Sequence, residues 1–413
     1  MSRAWPLTIR GTGALVLAVA CIIAARQLGQ VELVGFGVLL LALVAACGIA
    51  MLLDRRRGDV TRTIVPAVPT AGGEIAVTVH VAPTSALATA SARWRDDLPE
   101  GMTGDAAGAF PAVASGLTRG DRVVELSYRA RARRRGIHEI GPLTVSATDP
   151  FGLIRRRAAV GDATRIVVRP ALVELRAVSA LQQHAGGTLP ASTDRLGQGA
   201  DDLIARPYAP GDSRRRIHWR ASAHRDELMV RQEEQEAAPE ATVVLDRAPQ
   251  RWAPEANETT GADPAFEAAV SACASALARL VRDGFSVTLI DADGTTLCAP
   301  VDAADAVGIE QAMLALAQLR AVPFERPASL AELFAGRMTG PLIVVTGHLD
   351  ESDAAALAPI AHRSSFPILL AATPRDEAFA AAIGWHASRI GADIDLAEAW
   401  ESATAEKVGH VPG

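Results

Sequence analysis

The densest group of side chains that could do chemistry lies between residues 197 and 231. Arginines, carboxylates and aromatic residues alternate in this segment, and a Pro-Gly-Asp turn ends at Asp212. Asp212 could accept a bidentate hydrogen bond from Arg216, and Trp219 offers a flat face on which a guanidinium can stack. Because acids and bases nearly balance, the segment is not typical of a groove for a phosphate backbone. We predict a structural hinge between two domains, with Asp212 paired to Arg216 and Trp219 packed at the junction; a ligand or partner site is the alternative.

Motifs for several common chemistries are missing from the chain. Its only lysine is Lys407, so a Walker-type phosphate-binding loop and a kinase-type lysine both lack their residue. No His-Glu-x-x-His or Gly-x-Ser-x-Gly sequence occurs, and the four cysteines lack the paired spacing of zinc or disulfide frameworks. The net charge of -6 does not favour a dedicated nucleic-acid binder. We therefore expect no catalytic residue, no cofactor and no nucleic-acid partner.

The arginine-rich segment resembles the recurring motif of the bacterial family called domain of unknown function 58. That motif runs Arg-x-Tyr, Gly-Asp, Arg-Ile-x-Trp and Ala-Arg in this order. The corresponding residues here are Arg206, Tyr208, Gly211, Asp212, Arg216, Ile217, Trp219, Ala223 and Arg225. His224 stands directly after Ala223, where the family usually has arginine, and Arg225 follows one step later. The resemblance implies two membrane spans, a strand domain, this motif and a von Willebrand factor A-like domain, and it implies a partnership with a MoxR-type AAA+ ATPase.

The C-terminal part alternates short apolar strands with helices. Strands are predicted at 242–246, 286–291, 342–346 and 368–372, with helices between or after them. This alternation predicts a mainly parallel, doubly wound α/β sheet. It agrees with the von Willebrand A-like domain that the resemblance implies.

In such a sheet, a site would lie at the carboxyl ends of the strands, near Asp246, Asp291 and Thr346. The metal-binding version of the implied domain needs Asp-x-Ser-x-Ser after its first strand, because a cation such as Mg²⁺ prefers carboxylate and hydroxyl oxygens. Here Ala248 and Gln250 stand at the serine positions after Asp246. We predict no bound metal and a structural role for Asp246. A metal-dependent or enzymatic site that uses Asp246 and the arginine-rich segment is the alternative.

Residues 58–172 consist of short alternating segments separated by turns, which predicts a small antiparallel β-sandwich. One of its strands has an apolar face and a basic face. The basic residues on that strand and directly after it are Arg129, Arg131, Arg133, Arg134 and Arg135. They could contact anionic lipids, each contributing about 1 kcal/mol near the surface. A solvated, solubilising face is the alternative.

Two apolar segments predict transmembrane helices at about 9–28 and 33–53. Arginines flank the outer ends of the pair, whereas the connecting hairpin carries only Arg26, offset by Glu32. The positive-inside rule therefore predicts that the soluble domains face the cytoplasm. A lipoprotein signal ending at Cys21 is the alternative, but the apolar run continues beyond that residue and a second segment follows.

The sequence as a whole predicts a multidomain, multi-pass protein of the plasma membrane. Its predicted parts are a membrane anchor at 1–57, the β-sandwich domain at 58–172, a connector with the motif at 173–240, the von Willebrand A-like domain at 241–405 and a tail at 406–413. We expect a non-enzymatic adaptor or scaffold held at the lipid bilayer, with a MoxR-type AAA+ ATPase as its partner in protein assembly or maturation.

Overall fold

The computed structural model covers the anchor, the strand region and the α/β domain. The described residues are 6–53, 57–84, 92–111, 123–178, 205–207, 219–225, 227–231, 238–323, 330–334, 338–375 and 378–405. The predicted tail at 406–413 lies outside them.

Two apolar helices near the N-terminus confirm the predicted pair. Helix α1 is Ile9–Leu28 and helix α2 is Val31–Leu53, and both are long and apolar enough to cross a bilayer. Gly29 ends α1 in the left-handed region at φ 69°, where a residue with a side chain is strained. Because the connection between the helices is so short, they form an antiparallel hairpin. The start of α1 and the end of α2 therefore lie at the same end of the anchor.

The strand region forms two antiparallel four-stranded sheets. Its strands are β1 (Arg57–Val65), β2 (Glu74–Thr84), β3 (Ala92–Asp96), β4 (Met102–Gly104), β5 (Ala107–Phe110), β6 (Val124–Ala132), β7 (Gly136–Ile140), β8 (Leu143–Thr148), β9 (Arg155–Val160) and β10 (Thr164–Val168). The first sheet has the order β1-β2-β6-β4 and the second β5-β3-β8-β9, while β7 pairs with β10. Both sheets and the β7–β10 pair contribute to one shared hydrophobic core. Examples are Val79 of β2, Leu126 of β6, Val145 of β8 and Ile166 of β10.

A buried ion pair joins the two sheets across this core. The guanidinium of Arg62 on β1 donates to both carboxylate oxygens of Asp96 on β3, at 3.0 and 2.7 Å. The hydroxyl of Tyr128 on β6 donates to the same carboxylate at 2.8 Å. Both charges are inaccessible to solvent, so their mutual hydrogen bonds offset the cost of burying them.

Arg135 corrects the predicted basic face. Arg129, Arg131 and Arg133 are exposed, as predicted, and Arg134 is half-buried. The side chain of Arg135 is instead fully buried. Strand β6 ends three residues earlier, so the alternation that turns the preceding arginines outward no longer applies. Arg135 lies against the α/β domain and is not available to a lipid.

The strand region is attached to the anchor through the turn between β8 and β9. The amide of Thr8 donates to the carbonyl of Leu153 at 2.8 Å, and the amide of Arg155 donates to the carbonyl of Pro6 at 2.8 Å. Leu153 and Ile154 also pack with Cys47 of α2 in a small apolar cluster. This turn, residues 149–154, therefore contacts the same end of both anchor helices.

The C-terminal domain contains a five-stranded parallel sheet with helices on both faces. Its strands are β13 (Glu240–Leu245), β14 (Ser286–Asp291), β15 (Leu342–Leu349), β16 (Pro367–Pro374) and β17 (His386–Arg389), in the order β14-β13-β15-β16-β17. Its helices are α4 (Glu255–Glu258), α5 (Pro264–Arg282), α6 (Ala306–Ala317), α7 (Leu330–Leu333), α8 (Glu351–Ala361), α9 (Ala378–Ala381) and α10 (Leu396–Thr404). Helix α5 is apolar enough to span a membrane, but it is mostly buried against this sheet. The predicted parallel α/β domain is confirmed.

Contacts between the strand region and the α/β domain centre on α5 and α6. The guanidinium of Arg135 forms an ion pair with Glu267 of α5 and donates to the carbonyl of Leu316 at 3.1 Å. Nearby, Arg169 pairs with Glu310 of α6 at 2.6 Å. The chain then continues along α5, where Leu175 and Val178 enter the α/β core. The two regions are therefore joined by two ion pairs, Arg135 with Glu267 and Arg169 with Glu310, and both pairs lie outside the predicted hinge segment.

Candidate functional site

The described parts of the signature segment, residues 205–231, form a small unit of two strands and a helix. Strand β11 (Ala205–Pro207) pairs antiparallel with β12 (Met229–Arg231), and helix α3 (Trp219–Arg225) precedes β12. The hydroxyl of Ser222 on α3 accepts a hydrogen bond from the amide of Met229 at 2.8 Å. Met229 is buried, so this contact fixes the helix on the strand.

The described residues include only part of the predicted motif. Arg206 lies on β11, and Trp219, Ala223 and Arg225 lie on α3. The motif positions outside the described residues are Tyr208, Gly211, Asp212, Arg216 and Ile217. The predicted pair of Asp212 and Arg216 therefore stays a prediction.

Trp219 does not pack at the domain junction, and that part of the hinge prediction is wrong. Its side chain is 70% exposed. Helix α3 lies at the surface, since Ala223, His224 and Arg225 are exposed as well. The junction is instead filled by Arg135 and its partners on α5 and α6. Four other described tryptophans, Trp94, Trp252, Trp385 and Trp400, are buried, which makes the exposure of Trp219 unusual within this chain.

The segment presents a second exposed apolar side chain close to this tryptophan in sequence. Leu228 lies between α3 and β12 and is 49% exposed. Sequence reasoning did not single out Leu228, because one leucine next to Met229 and Val230 is typical of a short apolar strand and carries no functional signal. The seven-residue helix α3 thus displays the indole of Trp219, the loop after it displays Leu228, and the hydrogen bond of Ser222 holds the helix on β12.

The second candidate site lies at the switch point of the parallel sheet. Strand β13 has β14 on one side and β15 on the other, so the crevice where α/β proteins bind ligands falls between the carboxyl ends of β13 and β15. Asp246 and Thr346 meet there, and the Thr346 hydroxyl donates to Asp246 Oδ2 at 3.1 Å. Asp246 Oδ1 accepts from the amide of Ala248 at 3.0 Å, while the side chain of Gln250 is exposed. The structure therefore brings Asp246, Ala248 and Thr346 together but leaves Gln250 outside.

Arginines occupy the space next to these carboxylates. Arg251 Nε lies 3.3 Å from Asp246 Oδ2, and the same guanidinium binds the carboxylate of Asp353 with Nη2 to Oδ1 at 2.9 Å. On the other side of β13, Arg247 Nε donates to Asp291 Oδ2 at 2.7 Å. Sequence reasoning missed Arg251, whose partner Asp353 is about a hundred residues away in the chain.

Burial dominates the acid–base behaviour of this edge. It raises the pKa of Asp246 and the pKa of Asp291, although hydrogen bonds and the neighbouring arginines oppose the shift. The hydrogen bond to Asp353 raises the pKa of Arg251, which therefore stays charged.

A divalent cation at this edge would have to displace a guanidinium from each carboxylate. Among the described residues, no group of three or more His, Cys, Asp or Glu side chains is arranged to hold a metal ion.

Comparisons with known proteins give one family and several distant structures. The family model described as "Protein of unknown function DUF58" matches residues 204–363, which include the signature segment and the switch point. No curated protein matches the chain. A cohesin module from a family 33 glycoside hydrolase of Clostridium perfringens is 10% identical, covering 27% of this chain and 96% of that chain with a TM-score of 0.19. A conjugative transposon lipoprotein from Bacteroides eggerthii is 12% identical, covering 27% and 95% with a TM-score of 0.17. Likenesses this distant carry no argument about fold or function.

Proposed function

We propose that this chain, which belongs to the DUF58 family and matches its model over residues 204–363, is a membrane-anchored adaptor that binds a partner protein through α3. The exposure of Trp219 is the observation that carries the proposal. Tryptophan is among the residues that contribute most to protein interfaces, and large apolar side chains exposed together mark interaction sites. Trp219 belongs to the family motif, and the exposed Leu228 follows three residues after the motif ends.

The proposed partner is a MoxR-type AAA+ ATPase, as the family resemblance implies. In this proposal the α/β domain is a von Willebrand A-like docking domain, and the two antiparallel sheets are a β-sandwich that holds it near the bilayer. The parallel sheet with helices on both faces supports the first assignment. A scaffolding role is favoured over catalysis, because Arg247 and Arg251 already neutralise the carboxylates at the switch point.

Binding of the purified ATPase to the full-length chain in detergent micelles tests this proposal. We expect Trp219→Ala to weaken binding about 30-fold, since truncation of a central interface residue typically costs about 2 kcal/mol or more. The unfolding temperature should hardly change, because the indole is exposed. Val65→Ala is the matched control, since Val65 is also an exposed apolar residue but lies on β1 of the strand region, outside the proposed docking domain.

Two outcomes would contradict the proposal. One is wild-type affinity of Trp219→Ala for the ATPase, and the other is an equal loss of affinity in Val65→Ala. A lower unfolding temperature of Trp219→Ala together with wild-type binding would restore the structural hinge as the function of the segment.

A further inference from the structure

An arginine-lined cavity of about 530 Å³ opens on the outer face of the sheet β5-β3-β8-β9. Four arginines line it, two from β3 and two from β9: Arg93, Arg95, Arg155 and Arg157. Hydroxyl groups from β8 lie between them, contributed by Thr144, Ser146 and Thr148. No carboxylate belongs to the lining among the residues that the structure describes. We call this feature the arginine cavity.

Strand register explains why these side chains converge. Ser146 is paired with Arg93 on one side and with Arg157 on the other, so one row across three strands reads Arg-Ser-Arg. Directly paired residues in an antiparallel sheet point to the same face. In the adjacent row, Thr148 is paired with Arg155. The charges are therefore fixed on one surface by backbone pairing.

The four guanidinium groups are not compensated within the described part of the chain. Arg93, Arg95, Arg155 and Arg157 are exposed and form no ion pair with a described carboxylate. By comparison, Arg131 on β6 has Glu74 at 3.6 Å. Four like charges on one concave surface repel each other, and an anion bound between them would relieve this repulsion.

The cavity begins at the turn that contacts the membrane anchor. Arg155 lines the cavity and donates its amide to the carbonyl of Pro6, three residues before α1 begins. Leu7 and Ile154 form an antiparallel bridge at the same place. Within this turn, the apolar side chain of Phe151 is 59% exposed.

The distance from the anchor places the arginines at the level of lipid headgroups. Strand residues rise about 3.4 Å each, so Arg157 lies about 7 Å further along β9 than Arg155. The polar region of a bilayer is roughly 5 to 8 Å deep on each side of the hydrocarbon. Arg155 and Arg157 therefore both fall within or next to the layer that carries lipid phosphates.

We propose that the arginine cavity binds the headgroup of an anionic phospholipid. Guanidinium groups form paired hydrogen bonds with phosphate oxygens, and the hydroxyls of β8 can donate to the same group. The occupant is a lipid rather than a nucleic acid, because the cavity adjoins the end of the anchor helices. The inference rests on the membrane anchor in the proposed function but is independent of the ATPase, since binding is measured on this chain alone.

Titration of the full-length chain in non-ionic detergent micelles tests the inference. Calorimetry at about 0.15 M salt compares short-chain phosphatidylglycerol, short-chain phosphatidylcholine and glycerol phosphate. We expect saturable binding of phosphatidylglycerol and much weaker binding of the other two. Arg93→Gln with Arg157→Gln should lower the affinity about 30-fold, the factor expected when two arginines contribute about 1 kcal/mol each.

Two further double variants act as controls. Arg129→Gln with Arg131→Gln removes the same charge from the exposed face of β6 on the other sheet, and we expect less than a twofold change. Arg93→Lys with Arg157→Lys keeps the positive charge but loses the paired donors, and its affinity should lie between those of the wild type and the glutamine variant. An unfolding temperature of the glutamine variant close to that of the wild type would show that it lost binding rather than its fold.

Several outcomes would overturn the inference. Equal losses in the β6 and cavity variants would mean that general surface charge attracts the lipid. Equal affinity for phosphatidylcholine would exclude recognition of the anionic headgroup, and equal affinity for glycerol phosphate would identify a site for free phosphate. None of these results depends on whether an ATPase binds at Trp219.

Discussion

Asp246 is a carboxylate that the parallel sheet buries at its switch point. Burial is the largest influence on this group and raises its pKa above the ordinary value of 3.8. Below that value the carboxyl is neutral in both the folded and the unfolded chain. As pH rises from that value through the elevated pKa of the folded state, the carboxyl ionises more readily in the unfolded chain than in the folded one. The contribution of Asp246 to the free energy of unfolding therefore decreases over this interval.

Asp246→Asn should therefore gain stability relative to wild type between about pH 4 and pH 7. Asparagine keeps one acceptor for the amide of Ala248, its NH2 group can donate to the hydroxyl of Thr346, and it stays neutral throughout this range. Urea unfolding of the full-length chain in micelles at both pH values measures the difference. Addition of Mg²⁺ should not stabilise either protein, since guanidinium groups occupy the neighbouring positions. A variant that becomes less stable than wild type as pH rises would show that its pairing with Arg251 outweighs burial.

At the scale of elements, Arg135 holds the strand region against α5. Its guanidinium is fully buried, contacts Glu267 and lies 5.3 Å from the ring centroid of Phe266. Burial lowers the pKa of Arg135 and raises the pKa of Glu267, while their mutual attraction opposes both shifts. A buried pair of this kind is costly to break, because the remaining charge has no partner.

Arg135→Met should lower the free energy of unfolding by roughly 3 kcal/mol. This is the lower end of the range for buried pairs, since the Glu267 side chain is 25% exposed and water can partly replace its partner. The double variant with Glu267→Gln should cost less than the sum of the two single variants. The pair of Arg169 and Glu310 is the comparison, and its variants should cost less, because the Glu310 side chain is 57% exposed whereas that of Glu267 is 25% exposed. Additive costs at Arg135 and Glu267 would mean that the two side chains act separately.

At the scale of the whole molecule, the anchor hairpin determines on which side of the membrane the soluble domains lie. The short connection at Gly29 brings the start of α1 and the end of α2 to one side, where the β8–β9 turn contacts both helices. Arg10 lies at this end, whereas Arg26 lies next to the connection. The unequal distribution of arginine predicts that this end faces the cytoplasm.

Reporter fusions test the orientation of the anchor. A reporter that is active only in the cytoplasm should work when fused after Arg57, and one that is active only outside the cytoplasm should work when inserted at Gln30. The physical reason is that positively charged flanks are retained on the cytoplasmic side during insertion. Activity of both insertions on the same side would require a single span or a cleaved segment, and it would contradict the hairpin.

The sequence alone determined the elements whose signals are local. Two long apolar segments predicted α1 and α2, and the alternation of apolar strands with helices predicted the parallel sheet, because both patterns depend on neighbouring residues. The family motif was also recognisable from spacing, and the family match confirms it. Alternation along β6 correctly placed Arg129 and Arg131 on the outer face.

Tertiary structure decided which of these side chains are buried and which residues they contact. Alternation gives the face of a strand but not the element that packs on it, so the burial of Arg135 under α5 and the exposure of Trp219 had no local signal. Arg251 reaches Asp353 only because β13 and β15 are adjacent in the sheet. Likewise, Arg93 and Arg157 are far apart in the chain and share one cavity because both strands pair with β8. Strand order and domain packing are properties of the folded chain, and they determine where its charges accumulate.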